Sequence, residues 1–362
     1  MKKSKEKIKS QSKEKEKYLK NIFEQFLVDA RAKFSTFDLT NMDKNGKTIH
    51  FDVETKIETP ARYLSDYNAV ILGEKLDDRY TENERKHAVY HELVHMASTK
   101  NSKILNSKTG FGFIYPPFIA KRIAITEGLT EYITEEITGN EIDISYVFEK
   151  RCAKSLCMIF GDDIIQDFFN ADEKNLYKDI GKYGISKKEM KELFAEMDKS
   201  LMWRNNSALK IRKGKQIEEK NKYICSIEQE LVNMAVRVSM EKGESKEDIL
   251  EKIDRLTQNF IKPNLKFNIG DKKEENFLSE YSEDIDKPFE YATKMKEEIL
   301  GGNIKYTTEL ISDKEKNEST YYEKDKTEFI AQLENLKNTN TIDIKKVNKE
   351  KQKQIEQYEK TI

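Results

Sequence analysis

The chain holds four histidines, and three of them, His87, His91 and His95, fall at intervals of four. The last two enclose a glutamate: His91-Glu92-Leu93-Val94-His95 has the form H-E-x-x-H. Residues four apart lie one turn apart on the same face of a helix. Two imidazoles placed so can grip a single ion, with zinc–nitrogen bonds of about 2.0–2.1 Å. Glu92 stands beside the first of them, within reach of a water next to the metal. Zinc lowers the pKa of such a water, and a carboxylate can take its proton as the oxygen attacks a carbonyl. The chemistry implied is hydrolysis assisted by one zinc ion per chain. The bland alternative is a surface helix with two idle histidines. At this composition the pentapeptide arises by chance on the order of once in two hundred such chains, which favours the chemical reading.

His87 continues the four-residue spacing. A helix rises about 1.5 Å per residue, which sets His87 roughly 12 Å along the axis from His95, too far for one ion to bind both. It is expected at the surface or behind a ligand. His50 falls in a predicted strand, where a core or edge place is the default. No histidine follows His95, so the third ligand has to be another residue type. The best candidate is Glu127 in ITEGLTEYIT (125–134), on a second predicted helix whose inner face would carry Glu127 and Glu131 one turn apart. Thirty-one residues lie between His95 and Glu127, room for a loop or hairpin and a return. Two alternatives stand beside this: Glu131 as the ligand, or Glu127 as an ordinary acidic residue of a first helical turn.

The two segments together resemble the gluzincin group of zinc metallopeptidases, which pair H-E-x-x-H on one helix with a glutamate ligand on a following helix. Glu127-Gly128-Leu129-Thr130-Glu131-Tyr132 is similar to the Asn-Glu-Gly segment of that clan, with Thr126 in place of the Asn. In the thermolysin-like branch an acidic residue four after the ligand glutamate orients the first histidine. The resemblance gives that role to Glu131, holding the outer nitrogen of His91. It spans residues 67–132 and implies a zinc peptidase with His91, His95 and Glu127 as ligands and Glu92 as general base. The gap between the two motifs is longer than in the thermolysin-like and aminopeptidase branches. No third histidine follows at the short metzincin spacing. The donor that steadies a developing oxyanion is then expected to be Tyr, Arg, Lys or backbone. Tyr115, between the motifs, is the first choice, with Tyr132 and Tyr146 in competition.

The elements that must carry these groups are legible in outline. Thr81-Glu82-Asn83-Glu84 has the capping-box form, and no Pro or Gly interrupts the chain from there to Ser98, which predicts a helix over 82–98. A second helix is predicted from about Arg122 through Glu136, ending near Gly139. The stretch 99–120, with Gly110, Gly112, Pro116 and Pro117, reads as a loop or hairpin. Upstream, Tyr18 to Phe34 has helical apolar spacing. DKNG at 43–46 reads as a hairpin turn, and 47–55 and 66–75 read as strands. Downstream, helices are predicted at about 144–160, 162–170, 174–181 and 186–202, then two charged amphipathic helices over 215–262. A short hairpin is expected at 300–312 and a Lys/Glu-rich helix from Lys326 to Ile362. The expected fold class is α+β: a small N-terminal sheet, the H-E-x-x-H helix and a helical lower half, followed by a mostly helical, charged C-terminal region. The expected organisation is a basic tail (1–20), a zinc metallopeptidase catalytic domain (21–205) and a helical accessory region (206–362).

Composition narrows the partners. The 362 residues are 36% charged with a net charge of -1, so no global field points to nucleic acid or an anionic membrane. No apolar run approaches the roughly 20 residues of a membrane span, and the basic start MKKSKEK is followed by no apolar signal segment. Three cysteines, Cys152, Cys157 and Cys225, give no disulfide framework. A cytoplasmic location is expected, with a peptide or protein as substrate and a possible protein partner through the C-terminal helices. Two other functions compete. One is an intracellular regulatory protease cutting a single partner, in the manner of the ImmA/IrrE-like group, although the Ala/Phe-rich context of that group's third ligand is missing here. The other is a non-catalytic zinc-containing interaction protein, against which the presence of Glu92 argues, because a structural site needs no base.

Overall fold

The structure is a computed structural model and describes residues 2–54, 60–73, 80–101, 108–114, 121–142, 146–205, 213–261, 266–268, 274–276 and 286–301. It opens with helix α1 (Lys2–Lys33) and a short helix α2 (Thr40–Gly46). Three strands follow: β1 (His50–Glu54), β2 (Ala61–Leu64) and β3 (Ala69–Gly73). They form one sheet in the order β1-β3-β2, with β1 parallel and β2 antiparallel to β3. The central strand, AVILG, is buried along its whole length, as a strand covered on both faces must be.

The segment DKNG is not a hairpin turn. It closes α2, whose first amide is capped by Asp38 (Thr40 N donating to Oδ1, 2.9 Å). Two buried side chains, Met42 and Asn45, hold this helix in place. The Asn45 amide donates to Met96 O and Thr99 O, 2.9 and 2.7 Å away. Burial of Met42 and this pair of bonds outweigh the local turn preference of Asn-Gly. Strand β2 has no counterpart among the expected elements. It is short, and its apolar positions Ala61 and Tyr63 are the only two that are buried, too few to set an alternating pattern.

Helix α3 (Glu82–Ala97) carries H-E-x-x-H. Its capping box forms: Glu84 N donates to Thr81 Oγ1 while Thr81 N donates to the Glu84 carboxylate. The apolar face (Val89, Tyr90, Leu93, Val94, Met96 and Ala97) is buried. Tyr90 meets Phe26 of α1 edge to face at 5.3 Å, and its hydroxyl donates to Asp29. A strand pair, β4 (Thr99–Asn101) and β5 (Lys108–Phe111), leads away from α3, as the loop-or-hairpin expectation allowed.

Helix α4 (Ile123–Thr138) carries Glu127. Its first turn has no cap of its own: Arg122 adopts a left-handed conformation (φ 69°) and offers no side-chain bond. Asp198 supplies the missing acceptors from a distant helix, taking Arg122 N at 2.7 Å and Ala124 N at 2.9 Å. Gly139 ends the helix in the left-handed region. Helix α5 (Val147–Phe160) lies against α4 so closely that a Cβ on Gly128 would stand 2.3 Å from Glu149 O. Gly128 is thus fixed by helix-to-helix approach.

The remaining helices are α6 (Asp163–Phe169), α7 (Glu173–Gly181), α8 (Lys187–Asn205), α9 (Lys213–Glu241), α10 (Lys246–Gln258) and α11 (Lys287–Leu300), with a minor strand pair β6 (Lys266–Asn268) and β7 (Glu274–Asn276) before α11. The class is α+β, a small sheet in a mostly helical molecule. Helix α9 packs on α8 and α5, and α10 and α11 pack on α9, so helices from both sides of residue 206 belong to one compact unit, Met1–Leu300. The expected helix from Lys326, and nearly all of the 300–312 hairpin, lie outside the described residues. No helix among the described residues is long and apolar enough to cross a membrane.

Candidate metal centre

Helices α3 and α4 face each other across the site. The Nε2 atoms of His91 and His95 are 3.1 Å apart. Glu127 Oε2 lies 3.2 Å from the first and 3.3 Å from the second. His91 and His95 are 7% and 6% exposed, so water cannot freely solvate this triangle of donor atoms.

The proton positions follow from the far sides of the rings. His95 Nδ1 faces Thr130 Oγ1 at 3.4 Å. That hydroxyl already donates its hydrogen to Thr126 O at 2.8 Å, so it can only accept, and His95 Nδ1 carries the proton. His91 Nδ1 lies 3.2 Å from Glu131 Oε1, at ion-pair distance though off the line of an aligned hydrogen bond. A carboxylate only accepts, so the Glu131 charge favours a proton on His91 Nδ1. In their neutral forms both rings would turn Nε2 lone pairs toward Glu127 Oε2. Three acceptors converge with no donor between them, which is unfavourable unless a cation or a proton sits there.

The electrostatics agree. Burial works to lower the pKa of His91, but the Glu131 charge and the contacts with Glu127 and Glu131 outweigh it and raise it well above the usual value. Burial works to raise that of Glu127, yet the facing His95 and His91 hold it at about 2. Glu131, at 1% exposure, is likewise pulled below the carboxylate range by His91 and His87. The site favours positive charge between its acidic and imidazole groups.

Zinc fits this donor set. Tetrahedral bonds of about 2.0–2.1 Å imply ligand–ligand edges of roughly 3.3–3.4 Å, and the three observed edges are 3.1, 3.2 and 3.3 Å. Two imidazoles and a carboxylate are a familiar zinc donor set with one position left open. Among the described residues His91, His95 and Glu127 are the group of His, Cys, Asp or Glu side chains able to hold an ion.

The structure thus brings together four residues singled out by the sequence, His91, His95, Glu127 and Glu131. Glu92 stands beside them without joining the triangle: its Oε2 accepts from Tyr63 N at 2.6 Å, which ties the carboxylate to strand β2. His50 is exposed on β1, away from any ligand role. His87 is buried, its Nε2 2.7 Å from Glu131 Oε2. Tyr115 lies outside the described residues. Tyr132 is half-buried, and burial together with the charges of Cys157, Glu136, Asp162 and Glu135 drives its phenol pKa up. Tyr146 does reach the site: its ring lies nearly parallel to His91 (11°, centroids 5.9 Å apart) on a left-handed backbone, φ 52°. Its phenol pKa is driven far up by burial and by the Glu127, Glu92, Glu149 and Glu131 carboxylates. A bulky residue in that conformation is strained, and such strain gathers at functional sites. Thr130 and Tyr63 were not singled out by sequence. The hydroxyl that fixes His95 belongs to no motif, and an amide that holds Glu92 has no signature in side-chain identity.

Comparison with protein-family models, with curated proteins and with solved structures finds no match.

Proposed function

We propose that the chain is a zinc-dependent metallopeptidase of the gluzincin arrangement, hydrolysing peptide bonds with Glu92 as general base. The observation that carries this is the convergence of three lone-pair donors, His91 Nε2, His95 Nε2 and Glu127 Oε2, beside a fourth group, Glu92, that is no part of the triangle. A purely structural site has no use for that extra carboxylate.

Bound zinc would supply Lewis acidity and a water of lowered pKa. The rest falls to the chain's own side chains. His91, His95 and Glu127 hold the ion, while Glu131 and Thr130 keep the two imidazoles in the ligating tautomer. Glu92, steadied by the Tyr63 amide, takes the proton of the attacking water and passes it to the leaving nitrogen. Among the described residues Tyr146, beside the site with a phenol that keeps its proton, is a donor placed to meet charge developing on the carbonyl oxygen, the role the sequence first gives to Tyr115. Among the described residues β2 is paired on one side only, and Tyr63 N faces out from the other toward Glu92. An extended peptide laid along that edge would bring its carbonyl to the general base. A cytoplasmic place of action, and a choice between broad and single-target cleavage, belong to the same proposal.

Metal analysis of the purified chain, paired with a proteome-wide comparison of peptide termini between wild type and Glu92→Gln, tests it. The expected outcome is about one zinc per chain in both proteins, and a loss of cleavage in the variant on the order of a hundredfold to ten-thousandfold. Zinc binding with identical termini in both would leave a scaffold, and a chain that takes up no zinc would end the proposal.

A further inference from the structure

We propose that His87 is a positioning residue for the metal centre: through Glu131 it fixes the rotamer and tautomer of His91. The inference rests on the metallopeptidase reading for its purpose, but its geometry stands apart from it.

Glu131 is buried to 1% exposure and splits its carboxylate between two histidines of one helix. Oε2 is 2.7 Å from His87 Nε2, and Oε1 is 3.2 Å from His91 Nδ1. The shorter, aligned contact is the one to His87. The last torsion of a glutamate is broad and roughly two-fold. Anchoring Oε2 removes that freedom and leaves Oε1 facing the His91 ring. His87 and His91 are one turn apart on α3, so the distance between the two anchors is set by the helix itself. The ring of His87 is committed as well. Glu131 only accepts, so Nε2 donates to it, and the opposite atom, Nδ1, is buried without a hydrogen-bond partner. A buried polar atom left unpartnered is unfavourable, and packing alone would be served better by an apolar side chain of the same size. The imidazole makes sense as a donor aimed at Glu131.

The tests use the full-length chain. His87→Leu removes the donor at similar volume. His87→Gln restores one, because a glutamine amide nitrogen lies about where Nε2 does. His87→Asn places its amide too close to the backbone to reach Glu131. Zinc affinity is read by competition with a chromophoric chelator, and the melting temperature of the metal-free protein monitors the fold. We expect Leu and Asn to weaken zinc binding by about ten- to hundredfold, the usual effect of losing a partner behind a ligand, and Gln to return it to within a few-fold of wild type. If Leu does not fold, the Asn and Gln pair makes the same comparison. Equal affinity in all variants, or an equal loss in Gln and Leu, overturns the proposal. A second readout needs no metal. Long-range proton–nitrogen spectra of the four imidazoles should show His91 as the Nδ1–H tautomer in wild type and Gln, and as a mixture in Leu or Asn. An unchanged His91 tautomer in Leu and Asn also overturns it. Should wild type itself bind no zinc, the metallopeptidase reading fails, and these spectra still decide the role of His87.

Discussion

Helix α4 carries two buried clusters of ionisable side chains, one at its start and one in its middle, built on opposite principles. At the start, Arg122 Nε donates to Glu173 Oε1 at 2.6 Å and to Tyr177 Oη at 3.1 Å, and Tyr177 donates to the same Glu173. Asp198 closes the set by accepting two amides of the first turn. Each of these donors meets an acceptor, and the cluster is closed. In the middle of the helix, Glu127 faces two imidazoles whose outer nitrogens lie 3.4 Å from Thr130 Oγ1 and 3.2 Å from Glu131 Oε1. What remains are three acceptors aimed at one point. The first cluster is the more exposed of the two, with Glu173 at 22% against 13% for Glu127; the balance of donors and acceptors separates a cluster that fastens a helix from one that asks for a cation.

The sharpest way to break that contrast is to remove one member of the open set. Glu127→Gln should reduce zinc affinity by more than the about hundredfold that marks the loss of an outer partner, while the metal-free protein melts near the wild-type temperature. Calorimetric titration with zinc decides it, and unchanged affinity would return Glu127 to the rank of an ordinary helical acid. Next in size is Gly128→Ala. Replacing glycine by alanine inside a helix normally stabilises by roughly 0.5–1 kcal/mol. Here the new methyl would stand 2.3 Å from Glu149 O, so the expected sign is reversed: a loss of about 1–3 kcal/mol from overpacking, read by denaturant unfolding. Because Gly128 follows Glu127 directly, weaker zinc binding should accompany it.

How much of this was legible beforehand depended on the range of the interactions. Helix α3 was readable to within a residue, because its start is a local capping box and its body a run without breakers. The grouping of His91, His95 and Glu127 was readable because four-residue spacing on a helix is itself geometry, and because Glu127 lay in a segment resembling a known clan. The segment DKNG misled because the tertiary bonds of Asn45, to residues more than fifty positions away, overrode its local turn preference. Strand β2 was lost for want of length. Nothing local reveals that Asp198 caps a helix 74 residues upstream, that Thr130 holds a histidine, or that His87 is buried against Glu131. Those contacts exist only once α3 and α8 are packed against α4.

The closed cluster should respond in the opposite sense from the open one. Asp198→Ala deprives the first turn of α4 of its acceptors and should cost about 0.5–2 kcal/mol, the usual effect of a lost N-cap, measured by thermal unfolding. Zinc stoichiometry should stay at its wild-type value. If Asp198→Ala instead abolished metal binding with little effect on stability, the two clusters would not be separable, and the distinction between fastening and binding along α4 would fail.

The finest test is Thr130. Its hydroxyl is 3.4 Å from His95 Nδ1, a long contact, so its net worth belongs at the weak end of a hydrogen bond, about 0.5 kcal/mol. Thr130→Val keeps the shape and removes the acceptor. Zinc affinity should then fall on the order of twofold to threefold, and Thr130→Ser should restore it. The direction matters more than the size. In the closed cluster of Arg122, losing one acceptor leaves a donor unsatisfied. Here, losing Thr130 frees the His95 proton to move to Nε2, where it competes directly with the ion. A deficit that grows when the metal is scarce and vanishes at saturating zinc would show that Thr130 acts on the tautomer. A deficit that persisted at saturating zinc would assign Thr130 to packing between α3 and α4.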